Sequence, residues 1–298
     1  MAKPVIQIDH LTKYFGSFTG VSNISFTVEQ GEIFGFLGPN GAGKTTTIRM
    51  LLDLLRPSSG NIRIFDKVVR ENSAEIRKHC GYLPGNFNAY GNLTGWEFLQ
   101  LSAKLRGMSF RKDSSLLGRF ELSFNHLNKK IKYLSHGTNQ KLGIVQAFLH
   151  HPDLLILDEP TIGLDPLMQE EFYDLLKEHH SMGATIFLSS HNLTEVERIC
   201  SRMAIIRQGI LEKTDTIINL RKLLRKRMQI TLSDQIENLH LTGTEFIQQN
   251  GLHYEFFING DIRIILKELS ELPLVEITLP EPGLDEIFIN FYKDEMNA

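Results

Sequence analysis

The chain has 298 residues, 42% of them hydrophobic and 22% charged, with a formal net charge of -3. That balance excludes a disordered or fibrous chain, and it leaves no global basic field to draw the protein onto nucleic acid or acidic lipid. The two cysteines, Cys80 and Cys200, lie far apart and outside any Cys-x-x-Cys spacing, which points to reduced thiols and away from a disulfide framework or a zinc site.

The length suits a core domain plus a small appendage. The start, Met1 to His10, lacks the apolar stretch of a signal peptide, and no segment approaches the roughly 18 apolar residues of a membrane span. If the protein serves a membrane, the expectation is that it does so from the water side.

In chain order, Ile6 and Ile8, then Ile24, Phe26 and Val28, alternate as half-exposed antiparallel strands do. The continuous run Ile33-Phe34-Gly35-Phe36-Leu37 reads as a buried parallel strand feeding the glycine-rich stretch 38–45. A helix follows, with Ile48, Leu51, Leu52 and Leu55 at helical spacing, and Pro57-Ser58-Ser59-Gly60 stops it. From about residue 86 to 150 the periodicity is helical. Strand signals return at Leu154 to Leu157 and Ala184 to Leu188, separated by a helix over Leu167 to His180, as a βαβ unit requires. Past Gly209 a basic segment, Arg221 to Arg227, leads into short strands near Gln229 to Leu232 and Tyr254 to Ile258. A helix at Ile262 to Leu269, a strand at Val275 to Leu279 and a closing helix at Leu284 to Tyr292 complete a small α+β domain. The element order gives an α/β fold class, and the pattern G-x-x-x-x-G-K-[ST] at Gly38 to Thr45, set between a strand and a helix, makes it a P-loop NTPase core with an antiparallel β subdomain and a helical insertion, followed by the accessory domain. The domain bounds are 1–220 and 221–298.

Gly38, Gly43, Lys44 and Thr45 fit the pattern G-x-x-x-x-G-K-[ST]. Its glycines let consecutive backbone N–H groups of Gly38, Pro39, Asn40, Gly41, Ala42, Gly43, Lys44, Thr45 and Thr46, proline apart, converge on phosphate oxygens at a helix start. Lys44 would reach the β and γ phosphates, and the Thr45 hydroxyl would bind Mg²⁺. The apolar run Leu154 to Leu157 ends in Asp158 and Glu159; at the C-terminal end of a parallel strand, Asp158 can hold Mg²⁺ and Glu159 can orient or deprotonate an attacking water. His191, just past the strand ending in Ser189-Ser190, stands at the same sheet edge and could sense the γ-phosphate. The pairs His150-His151 and His179-His180 show no metal-site spacing.

With these residues in order, the sequence resembles the ABC transporter ATPase family over nearly everything before the C-terminal appendage. The glycine-rich loop resembles its Walker A, Leu154 to Asp158 its Walker B, Glu159 its catalytic glutamate, Gly163-Leu164-Asp165 its D-loop and His191 its switch histidine. Leu134-Ser135-His136-Gly137-Thr138-Asn139-Gln140 resembles the signature motif, which implies that Ser135 and Gly137 contact the γ-phosphate held by a second subunit. The resemblance thus implies a homodimer enclosing two ATP molecules. Leu11 to Gly16 resembles the A-loop, in which Phe15, with Tyr14 as the alternative, would stack on adenine.

The sequence departs from the family where His136 replaces the first signature glycine, a variant similar to ABC-2-type exporter ATPases, and where Gly85 occupies the position of the Q-loop glutamine. Asn86 is the alternative there. The resemblance further implies that ATP hydrolysis drives a separate membrane permease from the cytoplasmic face, docked on the insertion near Gly85 to Thr94, with no nucleic acid partner. Two rival readings stay open: a soluble ABC-type ATPase acting on ribosomes or DNA, and a regulatory module that binds ATP without turnover. The ending Pro282 to Phe288 resembles the tail of drug- and lipid-exporter ATPases.

Overall fold

The computed structural model describes residues 3–87, 90–111, 115–222, 226–236 and 239–280. They divide into two compact units between Thr216 and Ile217. In the first unit the alternation read from the sequence builds β1 (Pro4–Phe15) and β2 (Phe18–Glu29), which pair antiparallel with Ile6 opposite Val28 and Ile8 opposite Phe26. All five residues of β3 (Ile33–Leu37) are buried, as a strand with neighbours on both sides and both faces covered demands. The chain then turns through the glycine-rich loop into α1 (Lys44–Leu51), one turn shorter than the apolar spacing suggested because the helix caps at Leu52.

Two short strands that the apolar pattern does not announce, β4 (Ser59–Ile64) and β5 (Lys67–Val68), complete the antiparallel sheet in the order β2-β1-β4-β5. Helix α2 (Val69–Lys78) leads to β6 (Cys80–Leu83), an edge strand of the main sheet. The helical stretch contains α3 (Gly95–Leu105), α4 (Ser115–Arg119), α5 (Phe124–Leu127), a 3₁₀ turn at Ile131–Tyr133 and α6 (His136–Phe148). Thr94 and Glu97 form a reciprocal capping box that fixes where α3 begins.

Next come β7 (Leu154–Asp158), α7 (Pro166–Ser181), β8 (Thr185–Ser190), α8 (Leu193–Ile199), β9 (Arg202–Arg207) and β10 (Ile210–Thr216). The main sheet runs β10-β9-β3-β8-β7-β6, parallel except for β10. Phe26 of β2 stacks on Phe34 at 5.4 Å and on Phe187 at 6.2 Å, so aromatic packing joins the antiparallel sheet to the parallel one. The C-terminal ends of β3, β7 and β8 thereby come to one edge, the place where parallel α/β sheets bind ligands.

The second unit starts with α9 (Ile217–Lys222) and contains β11 (Arg227–Leu232), β12 (Thr244–Asn250), β13 (His253–Ile258), α10 (Ile262–Leu269) and β14 (Leu274–Thr278). Its sheet order is β12-β13-β11-β14, all antiparallel. Met228, Ile230, Tyr254 and Phe256 pack with Ile265 and Leu269 of α10 in a separate core. The closing helix expected at Leu284 to Tyr292 lies outside the described residues. Among the described residues no helix is long and apolar enough to cross a membrane.

Candidate active site

The loop from Gly38 to Thr45 is held at both ends by backbone. Gly38 N–H donates to Ser190 O at 3.2 Å, and Ala42 O accepts from Gly209 N at 2.9 Å. A Cβ on Gly38 would stand 2.2 Å from Ile206 O, and Gly43 has φ +107 with Gly20 O 2.7 Å from its Cβ position, so the loop passes where side chains cannot. Gly43 also caps α1, with no side-chain cap bond and no acidic residue in the first turn. Helices α3, α6 and α7, by contrast, begin on the side chains of Thr94, Ser135 and Asp165. The start of α1 therefore presents N–H groups without a protein acceptor, a donor set matched to an anion.

Lys44 is 5% exposed. Its ammonium donates to Gly38 O at 2.6 Å and Pro39 O at 3.0 Å, and it lies 3.0 Å from Glu159 Oε1. Glu159 Oε1 has no directed hydrogen bond, so its contact with Lys44 is an ion pair by charge and proximity alone. The other carboxylate oxygen, Oε2, meets His191 Nδ1 at 2.7 Å. Glu159 adopts φ +48, a left-handed conformation that non-glycine residues seldom take. That turn, with the Glu159 amide bonded to both Ser189 O and Ser189 Oγ at 3.1 Å, aims the carboxylate back at Lys44.

Asp158 is buried at the end of β7, where Thr45 Oγ1 donates to its Oδ2 at 2.7 Å and Ser189 Oγ to its Oδ1 at 2.5 Å. Tyr82, beside it on β6, has its phenol pushed up to about 12 by burial, with the charge of Asp158 adding to the effect. Among the described residues no group of three or more His, Cys, Asp or Glu gathers as a metal cage. A hydroxyl and one carboxylate nevertheless fit Mg²⁺, a hard cation that takes a few protein oxygens and leaves its remaining positions to water and phosphate. Lys44, Thr45, Asp158, Glu159 and His191 thus form one cluster, whereas Asn40 and Gly41 are exposed on the loop above it.

Of the two aromatic rings, Phe15 is connected to the loop through Gly20. It packs on Gly20, whose carbonyl abuts Gly43, and it stays 46% exposed with Lys13 Nζ 5.2 Å from its ring centre. Tyr14 is 52% exposed, and its backbone N–H is bonded to Ser58 Oγ. Ser135 caps α6, accepting from Thr138 N at 3.2 Å, and Gly137 approaches Gly163 O. The contacts of both are with their own helix and the 160–165 turn, not with the 38–45 loop. Gly85 lies against Asp158, where a Cβ would stand 3.2 Å from its carbonyl oxygen and 3.4 Å from Oδ2; Asn86 is exposed one residue on.

Sequence reasoning quoted Ser189, Ser190 and Gln140 within motifs without giving them a role, and it passed over Glu195. Two adjacent serines closing the apolar run Ile186-Phe187-Leu188 were the available signal for the first pair, and the structure buries both. Glu195 on α8 is 4% exposed and accepts from Ser190 Oγ at 2.6 Å; burial holds its carboxyl above the usual range.

The sequence profile of the ABC transporter family matches residues 21–162. Over 96% of both chains, the sequence is 38% identical to the bacitracin transport ATP-binding protein BcrA of Bacillus licheniformis. It is 30% identical to the linearmycin resistance ATP-binding protein LnrL of Bacillus subtilis (strain 168), over 96% of this chain and 97% of that one. A solved ATP-binding subunit of an ABC transporter superposes with a TM-score of 0.68 at 32% identity, covering 74% of this chain and 92% of the other.

Proposed function

Because the chain belongs to the ABC transporter family of ATP-binding subunits, we propose that it hydrolyses ATP as half of a homodimer and that closure of the pair drives a separate membrane permease. The observation that carries this reading is the single cluster in which Lys44, Glu159 and His191 stand beside Thr45 and Asp158. Lys44 and the N–H groups of α1 receive the phosphates. Glu159, oriented by His191, takes or directs the proton of the attacking water. Thr45 and Asp158 would hold Mg²⁺, which when bound offsets phosphate charge. Ser135 and Gly137, at the start of α6, meet the γ-phosphate bound to the partner chain.

The names of the relatives, one for bacitracin transport and one for linearmycin resistance, support an exporter acting on a toxic small molecule. The protein would then sit on the cytoplasmic face as a peripheral subunit. Steady-state ATPase assays of the purified full chain test the enzymatic part: turnover should saturate with ATP and vanish when Mg²⁺ is chelated. Negligible turnover that Glu159→Gln leaves unchanged would overturn it.

Phe15 supplies the adenine platform in this reading. Phe15→Ala is expected to raise the KM for ATP about tenfold with kcat nearly unchanged, since base–aromatic stacking is worth about 1–3 kcal/mol and acts on binding alone. Tyr14→Ala should move KM less than twofold; a larger effect at Tyr14 than at Phe15 would reassign the platform.

A further inference from the structure

Gln140 lies on α6 at 1% exposure, and the other buried residues of that helix, Leu142, Gly143, Ile144, Val145, Ala147 and Phe148, carry no polar side chain. Its Nε2 donates to Pro160 O at 2.9 Å, inside the protein and across 20 residues of sequence. A buried amide is unfavourable unless bonded, and an aliphatic side chain would fill the same space without that demand. Two close approaches lie alongside. A Cβ on Gly137 would stand 2.7 Å from Gly163 O, and a Cβ on Gly163, which has φ +82, would stand 2.4 Å from His136 Nδ1. The first turn of α6 therefore packs close against the 159–165 turn, backbone to backbone at Gly137 and Gly163.

We propose that Gln140 is a positioning residue that couples the two composite ATP sites of the dimer, by fixing the signature turn of α6 to the Glu159-Pro160 turn of the same chain. The proposal rests on the homodimer reading. In that arrangement Glu159 acts at one site while Ser135 and Gly137 of the same chain act at the other, and the buried Gln140–Pro160 hydrogen bond joins the elements that carry them. A shift of Pro160 when one site fills is passed to the helix start that completes the second.

Gln140→Met keeps the volume and removes the donor. Wild-type hydrolysis should depend on ATP concentration with a Hill coefficient between about 1.4 and 2, and Gln140→Met should bring it to about 1. Affinity for a fluorescent ATP analogue, measured on Glu159-intact chains at concentrations where they are monomeric, should change less than twofold. A purely structural role would instead lower the melting temperature and leave the Hill coefficient alone. If Gln140→Met melts early, Gln140→Asn, which keeps the amide one methylene short, takes its place with the same expected loss of cooperativity. A Hill coefficient of 1 in the wild type, or one unchanged in the variant, overturns the coupling. Absence of wild-type turnover would instead count against the hydrolytic reading on which the coupling stands.

Discussion

Glu159→Gln should lower ATP turnover by about 10²- to 10⁴-fold, the usual contribution of a positioned general base. The amide keeps the shape of the carboxylate and can still meet His191, so the loss isolates the proton-accepting function. ATP binding should persist or tighten. Lys44 is released from its ion pair, and a negative charge beside the arriving γ-phosphate is gone. Parallel measurements of kcat and of nucleotide affinity check both halves. Reduced binding with kcat preserved would move Glu159 from water activation to a structural role.

Lys44→Ala is expected to weaken ATP binding by about 10²-fold or more, because charge-assisted hydrogen bonds to the phosphates contribute about 1.5–3 kcal/mol each. The substitution also strips a cation from the buried Glu159 carboxylate and from the carbonyls of Gly38 and Pro39. Some stability should be lost with it, since an uncompensated buried charge is unfavourable. The double variant Lys44→Ala/Glu159→Gln should therefore melt above Lys44→Ala alone, although neither binds ATP tightly. Equilibrium titration and thermal melting of the three variants separate the phosphate role of Lys44 from its role in packing. Equal melting of the single and double variants would remove Glu159 from the account of stability.

These two side chains were legible in the sequence because their chemistry is written into contiguous strings. The glycine-rich loop occupies eight positions between a strand and a helix, and Asp158 and Glu159 end a continuous apolar run. The residues that support them were not, because their partners lie far along the chain. Ser189 meets Asp158 across 31 residues and Gln140 meets Pro160 across 20, and nothing in the local pattern of either segment names its partner.

The same distinction holds for the fold. α10 was expected over the residues it occupies, since Ile262, Ile265 and Leu269 mark one face. By contrast β12, Thr-Glu-Phe-Ile-Gln-Gln-Asn, has few apolar residues and is a strand because β13 pairs with it. β4 and β5 are short and polar for the same reason, and they exist as partners of β1 and of each other. The left-handed turn at Glu159 is another feature that only the folded chain reveals, being imposed by Ser189 on the neighbouring strand.

In the proposed dimer each ATP site is built from two chains, with the phosphate loop of one facing Ser135 and Gly137 of the other. Mixing two separately inactive full-length variants, Lys44→Ala and Ser135→Ala, tests it most directly. In a mixed pair, one site combines the intact loop of the Ser135→Ala chain with the intact signature turn of the Lys44→Ala chain, while the other site carries both lesions. A one-to-one mixture with random pairing should recover up to about a quarter of wild-type turnover, from one sound site in half of the dimers. Turnover no greater than the mean of the two parents would contradict the shared site and return catalysis to a single chain.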